Sequence, residues 1–486
     1  MSGTKNRPNQ NKKQKKGKKQ TNREYSQILY LFTGLFLVMI GYLCYFQITQ
    51  SREVINNPYN ARLESFEKRV IRGSILASDG QLLAYTNVDG DGNEERVYPF
   101  GCTFSHVLGY SDYGKTGIES LGNFQLVTSN AYFVEKFLNE LKEQKNMGDS
   151  LVTTLDVDLQ TAAHDALGTH RGAVVVMETS TGNVRAMVSK PDYDPAEVAD
   201  RWEELSGADD GTLLNRATQG LYPPGSTFKT VTLLEYLREH QMDDSGYSFL
   251  CEGKVTVGNS SISCYHGRAH GQLDLKTAFA KSCNSAFADM GRDLDVEAFR
   301  SLAEQLLFNR EELPVSLPYS QSSFALQETD SEAMRMMTAI GQGDTLVTPM
   351  HMALIMSAVA NDGVLMTPRY LDRTESYTGT LVETYDTSEY GTLMTAGEAQ
   401  ILREYLRAVV EEGTASALAS DDYTAYGKTG TAEYSSDKSK SHAWFAGFVS
   451  GEKEDLAVVV LVEEAGSGSE YAVPVAKKIF DAYYKK

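Results

Sequence analysis

Cysteine is scarce in this 486-residue chain. The five present, Cys44, Cys102, Cys251, Cys264 and Cys283, form no Cys-x-x-Cys pair and no Cys/His spacing of a zinc site. No metal is therefore expected, and His266 and His270 read as loop residues. Positive charge is also short. The net charge is −19; residues 1–24, with nine Lys or Arg against one Glu, contribute +8 and leave −27 for the remaining 462. A body so acidic excludes nucleic acid as the main partner. From Tyr25 to Ser51 charge is missing altogether. About 20 apolar residues at 1.5 Å each cross the roughly 30 Å hydrocarbon layer, so residues 25–50 predict a single transmembrane anchor. No small-x-small cleavage site follows in Gln47-Ile48-Thr49-Gln50-Ser51-Arg52, which excludes a cleaved signal peptide. Lysines ahead of the anchor place the N-terminus in the cytoplasm and the body outside the cell. The tail itself, residues 1–24, is rich in Lys, Asn and Gln and is expected to be disordered. Cys251 and Cys264 flank a polar stretch, Gly253 to Ser263, that reads as a hairpin. Outside the cell they either form a disulfide or remain two buried thiols.

Residues 51–151 read as a small, mostly β domain without catalytic chemistry. Arg69 to Leu76 is a strand entering a turn, and Ser78-Asp79-Gly80 supplies the turn residues. Residues 152–486 make a second domain. A helix from Val157 to Leu167 leads into a hairpin, Ala173 to Met177 and Val184 to Val188, around Thr179-Ser180-Thr181-Gly182-Asn183. A second hairpin pairs Trp444 to Val449 with Leu456 to Val462, and a final helix runs from Val473 to Tyr484. Helices such as Pro349 to Asn361 and Ala396 to Glu412 lie between. Strands at both ends with helices between predict an α+β fold, one antiparallel sheet closed by distant parts of the chain and flanked by helices.

The stretch Tyr222-Pro223-Pro224-Gly225-Ser226-Thr227-Phe228-Lys229 concentrates the chemistry. Two prolines and a glycine mark a sharp turn. The apolar spacing of Phe228, Val231, Leu234 and Leu237 continues it as a helix. Ser226 and Lys229 thus share one helical face, where a neutral amine can take the proton of a hydroxyl nucleophile. The start of the helix also supplies backbone N–H groups for an oxyanion. Ser-x-x-Lys occurs four more times, at Ser2–Lys5, Ser65–Lys68, Ser435–Lys438 and Ser450–Lys453, so its setting sets Ser226 apart. Ser282-Cys283-Asn284 follows in a helical stretch, Leu275 to Asp289. Its hydroxyl can pass a proton and its amide can hold a peptide, with Cys283 pointing into the core. Lys428-Thr429-Gly430-Thr431 precedes the second hairpin as a strand. The lysine offers positive charge to a carboxylate, the threonines hydrogen bonds, and Gly430 a close approach for substrate backbone. A copy of the tripeptide at Lys115-Thr116-Gly117 reads as a turn.

Ser-x-x-Lys, Ser-x-Asn and Lys-Thr-Gly in this order resemble the motif set of penicillin-binding proteins and serine β-lactamases. Asn60-Ala61-Arg62, Arg72-Gly73-Ser74-Ile75, His106-Val107-Leu108-Gly109-Tyr110 and Gly117-Ile118-Glu119 resemble the pedestal of class B penicillin-binding proteins. Thr181-Gly182, Asn215-Arg216-Ala217, Gly341-Gln342-Gly343 and Thr348-Pro349 resemble their transpeptidase domain. Ala77-Ser78 departs from the Asp-Arg that many members carry there. The resemblance implies a serine β-lactamase-like domain that cross-links peptidoglycan stem peptides ending in D-Ala-D-Ala. Ser226 would be the nucleophile and Lys229 the base; Ser282 and Lys428 would relay the proton. Asn284, Thr429 and Thr431 would hold substrate, and backbone N–H groups of Ser226 and Thr431 would form the oxyanion hole. No cofactor is implied. β-Lactams would acylate Ser226, and a SEDS-family glycosyltransferase would be the membrane partner. A membrane-anchored β-lactamase is the alternative, set against by Ser-Cys-Asn where class D enzymes have Ser-x-Val. A β-lactam sensor or scaffold is a further one, set against by the single membrane segment.

Overall fold

The computed structural model describes residues 3, 11–49, 69–131, 133–142, 144–258, 260–433 and 440–485. The expectations for Asn60-Ala61-Arg62, Ser65–Lys68 and Ser435–Lys438 fall outside these. The first helix, α1, runs Asn11–Thr49. Its segment Tyr25–Phe46 has 22 residues of mean hydropathy 2.0, long and apolar enough to cross a membrane. At 1.5 Å per residue it spans about 33 Å. The helix also takes in residues 11–24, which composition marks as disordered. Lys and Gln are good helix formers, and no proline interrupts the run after Asn11.

The body is built on a five-stranded antiparallel sheet. Strands β1 (Gly172–Glu178) and β2 (Val184–Lys190) form the first hairpin; β3 (Thr424–Ala432), β4 (His442–Ser450) and β5 (Leu456–Val462) come from the far end of the chain. The spatial order is β3-β4-β5-β1-β2, so β3 is an edge strand. β5 and β1 are buried along their whole length, which is why both read as continuous Val-rich runs. Helix α2 (Val157–Leu167) begins on Asp156, whose carboxylate accepts the Leu159 N–H at 2.9 Å. Further helices follow: α3 (Lys229–Glu239), α4 (Leu275–Ala280), α5 (Asn284–Asp293), α6 (Pro349–Ala360) and α7 (Gly468–Tyr484). Every residue of α6 is buried, and it packs against β1, β4 and β5; α2 and α7 pack against each other and the sheet.

A second sheet crosses the boundary expected at residue 151. Its order is Leu381–Thr384, Leu371–Glu375, Ser150–Thr153, Ile75–Leu76, Leu82–Val88, Glu94–Val97. Two strands from the second half of the chain thus complete the small N-terminal sheet. Beside it lies a buried ion network. Glu119, with its side chain inaccessible, accepts Arg72 Nε at 2.7 Å, Arg96 Nε at 2.8 Å and the Tyr98 hydroxyl at 3.1 Å. Burial alone would raise its pKa, but the two guanidinium groups overcome this and hold it at about 2. An unfolded glutamate titrates near 4.3. The network's stability is therefore fully present above that pH and lost as pH falls toward 2. Glu119→Gln should cost about 3–5 kcal/mol at pH 7, because two largely buried arginines lose their anionic partner. The gap between the denaturant midpoints of variant and wild type should hold above about pH 4.3 and narrow progressively toward pH 2. A gap unchanged at pH 3 would mean that the glutamate acts by shape, not charge.

Candidate active site

The turn that carries Ser226 is held from three sides. Tyr222 exchanges both backbone hydrogen bonds with Val347, at 3.0 and 2.9 Å, and the Gly225 N–H donates to Gly341 O at 2.9 Å. The Trp444 indole on β4 donates to Pro223 O at 3.1 Å. Gly225 has φ +53°, and a Cβ there would lie 2.8 Å from Thr431 O, so the turn presses directly on β3. Gly225–Phe228 form a 3₁₀ turn and α3 proper starts at Lys229. Ser226 is half-buried, one turn before Lys229.

Lys229 is wholly buried. Its Nζ donates to Ser282 O at 2.9 Å, Ser282 Oγ at 3.3 Å and Asn284 Oδ1 at 2.7 Å. Burial brings its pKa down to about 8, so roughly a tenth of the amine is neutral at pH 7. The Ser-Cys-Asn segment is where the expected helix from Leu275 to Asp289 breaks. Ser282 has φ +55° and donates its N–H to Phe279 O at 3.0 Å, while the Cys283 N–H reaches Ala278 O at 2.9 Å. This is a Schellman termination of α4 with serine in the left-handed position that usually takes glycine. The conformation costs about 1–2 kcal/mol, and it turns Ser282 and Asn284 together toward Lys229. Asn284 Nδ2 donates to Ser263 O at 3.1 Å, which fixes the amide orientation.

On β3, alternation sends Lys428 and Gly430 to one face and Thr429 and Thr431 to the other. Lys428 is wholly buried; its Nζ donates to Thr429 O at 3.2 Å. Burial, and then the charge of Lys229, push its pKa well below the usual lysine range. A Cβ on Gly430 would lie 3.0 Å from Pro224 O and 3.0 Å from Trp444 Cβ, so its bareness lets the nucleophile's turn lie close against β3. Thr429 shares a 2.5 Å hydrogen bond with Thr414 Oγ1, and Thr431 is half-exposed.

Trp444 and Thr414 are positioning residues that no motif announced. So is Glu463, which accepts the Tyr222 hydroxyl at 2.7 Å and Arg216 Nε at 2.8 Å. Gln342, its amide nitrogen turned toward Glu433 O, pairs with both backbone groups of Glu433 at 2.9 and 3.1 Å and ties the end of β3 to the nucleophile's turn. A cavity of about 590 Å³ lined by Thr179, Asn361, Lys453 and Tyr483 holds none of the site residues. Four residues that no sequence spacing linked come together beside the Ser-Cys-Asn turn. Cys251, Cys264, His270 and Cys283 converge, with free thiols and ligand atoms within 4.8 Å of one another. Cys251 and Cys264 sit with sulfurs 3.6 Å apart, so they are two buried thiols and not a disulfide.

A helix-start serine, two desolvated lysines and an edge strand bearing threonines suit transfer of an acyl group from an extended peptide, which defines a serine acyltransferase of the penicillin-binding class. Residues 172–481 match the penicillin binding protein transpeptidase domain, and residues 72–151 the penicillin binding protein A dimerisation domain. The chain belongs to the penicillin-binding protein transpeptidase family. It is 32% identical over 453 residues to the peptidoglycan D,D-transpeptidase PbpA of Mycolicibacterium smegmatis, covering 87% of this chain and 90% of that one. Among solved structures it resembles the D,D-transpeptidase domain of a peptidoglycan glycosyltransferase from Eggerthella lenta (TM-score 0.77, 30% identity, 86% of this chain and 99% of that one). It also resembles the imipenem acyl-enzyme of penicillin-binding protein A from M. tuberculosis (TM-score 0.76, 28% identity, 86% and 100%).

Proposed function

We propose that this chain is a membrane-anchored peptidoglycan D,D-transpeptidase that works through an acyl-enzyme on Ser226. The observation that carries the reading is the buried amine of Lys229, held by Ser282 and Asn284 one turn from Ser226. A stem peptide ending in D-Ala-D-Ala adds along the open edge of β3, its carboxylate on the hydroxyls of Thr429 and Thr431 and its backbone on Asn284. Ser226 Oγ bonds to the penultimate carbonyl carbon and gives its proton to neutral Lys229. The developing oxyanion rests on the backbone N–H groups of Ser226 and Thr431. The amide C–N bond then breaks, and the proton passes by Ser282 and Lys428 to the departing D-Ala. An amine from a second strand attacks the ester, makes the cross-link and returns a proton to Ser226. The relative in M. smegmatis is named for this activity, and penicillin-binding protein A of M. tuberculosis forms acyl-enzymes with imipenem and penicillin G.

Residues 25–50 anchor the chain once in the cell membrane, N-terminus in the cytoplasm and catalytic domain outside, in keeping with the basic residues before the anchor. A SEDS-family glycosyltransferase would supply the glycan strands. The test is release of D-Ala from a synthetic pentapeptide ending in D-Ala-D-Ala, with transfer to an added D-amino acid, by the full chain in detergent. Absence of both products, with penicillin binding intact, would contradict the transfer step. Lys428→Ala should slow acylation by penicillin G about 10²-fold or more; equal rates in variant and wild type would remove its relay role.

A further inference from the structure

We propose that Cys251, Cys264, His270 and Cys283 bind one Zn²⁺ ion that pins the Ser-Cys-Asn turn beneath Lys229. Three of the ligand separations match those of a tetrahedral site, and all lie within 4.8 Å. With metal–sulfur bonds of about 2.3 Å and metal–nitrogen bonds of about 2.0–2.1 Å, tetrahedral angles set sulfurs about 3.8 Å apart and sulfur from nitrogen about 3.6 Å. Here Cys251 and Cys264 Sγ are 3.6 Å apart, Cys264 and Cys283 Sγ 3.6 Å, and Cys251 Sγ and His270 Nδ1 3.5 Å. Three thiols and an imidazole are a soft donor set suited to zinc.

The surroundings are those of a thiolate site. The Gly253 N–H points at Cys251 Sγ (3.4 Å), the Ala286 N–H at Cys283 Sγ (3.4 Å), and the Ser285 hydroxyl lies 3.1 Å from Cys264 Sγ. Two of the sulfurs thus accept a backbone N–H and the third has a hydroxyl beside it, as outer partners of a metal site do. Four separate segments meet here. Cys251 ends the strand Phe249–Cys251, Cys264 follows the hairpin strand Ser260–Ser263, His270 precedes Gly271–Leu273, and Cys283 caps α5. Small strands with little core of their own gain their mutual register from such an ion.

The site borders the chemistry directly. Cys283 lies between Ser282 and Asn284, both of which accept from Lys229, and Asn284 holds Ser263 O next to Cys264. A metal on Cys283 would hold Ser282 in its left-handed conformation, acting as a positioning device that touches no reacting atom.

The test is elemental analysis of the full chain, purified in detergent from zinc-supplemented cells. Near one zinc per chain is expected, falling at least tenfold in Cys264→Ser and in His270→Ala and unchanged in Cys102→Ser. His270 is half-buried in a loop, so its variant keeps the fold where a core cysteine variant fails. Stripping the wild type with a chelator should raise the thiols reactive in the native protein by three and slow acylation by fluorescent penicillin at least tenfold, with recovery on Zn²⁺ and none on Mg²⁺. Zinc below a tenth of an equivalent, stoichiometric iron or copper, or a Cys251–Cys264 disulfide in the purified protein would each overturn the assignment. Metal content is read without acylation, so an inactive protein holding zinc would count against the transpeptidase reading alone.

Discussion

Ser226→Ala should abolish acylation by penicillin, a loss of at least about 10⁴-fold, while leaving the fold intact. Removing the nucleophile of a serine acyl-transfer site leaves only what the oxyanion hole and substrate binding contribute. Ser226 is half-buried on a turn fixed by Tyr222, Gly225 and Trp444, none of which uses the Ser226 hydroxyl. The variant should therefore match the wild type in thermal midpoint, and intact-mass spectra after exposure to penicillin should show no added mass. Ser435→Ala, at another Ser-x-x-Lys, should acylate at the wild-type rate. An adduct persisting in Ser226→Ala would move the nucleophile elsewhere.

The second large effect is at Lys229. Lys229→Met keeps most of the volume and removes the amine, so acylation should fall by about 10²–10⁴-fold, the range for a general base. Stability should not fall with it. An amine wholly buried against Phe287, with its pKa brought down by burial to about 8, is a desolvation cost that a thioether avoids. The wild-type acylation rate should rise as pH goes from 6 to 8, because the neutral amine is the active form, and level off above. The residual rate of Lys229→Met should lack that rise. A variant that loses stability and activity together, with the pH profile unchanged, would make Lys229 structural.

Much of this was legible in the chain, and the parts that were share a cause. The runs from Ala173 to Met177 and from Leu456 to Val462 are apolar throughout and bounded by turn residues, so local pattern and final burial agree. Val157–Leu167 begins on an aspartate cap and ends at Gly168, and both signals are local. The break at Ser282 was hidden because a serine fills the place where a glycine would have marked it. The start of α7 at Gly468, ahead of the expected Val473, was masked by Pro474 inside the helix. Pairing of Leu371–Glu375 with Ser150–Thr153 joins strands more than two hundred residues apart and leaves no local mark. The cysteine cluster was illegible for the same reason: its ligands stand 13, 6 and 13 residues apart, one to a segment. At the active site, motifs named the residue types, whereas the packing of Gly430 on Pro224 and the full burial of Lys428 depend on distant parts of the chain and left no local mark.

The most direct test is a time course of fluorescent penicillin on the full chain in detergent, with mass spectrometry of the labelled peptide. A single adduct on Ser226 that persists for many minutes is the expected result, since a transpeptidase site passes its acyl group to an amine and reacts slowly with water. Rapid consumption of the drug without a lasting adduct would contradict it and make the site that of a β-lactamase.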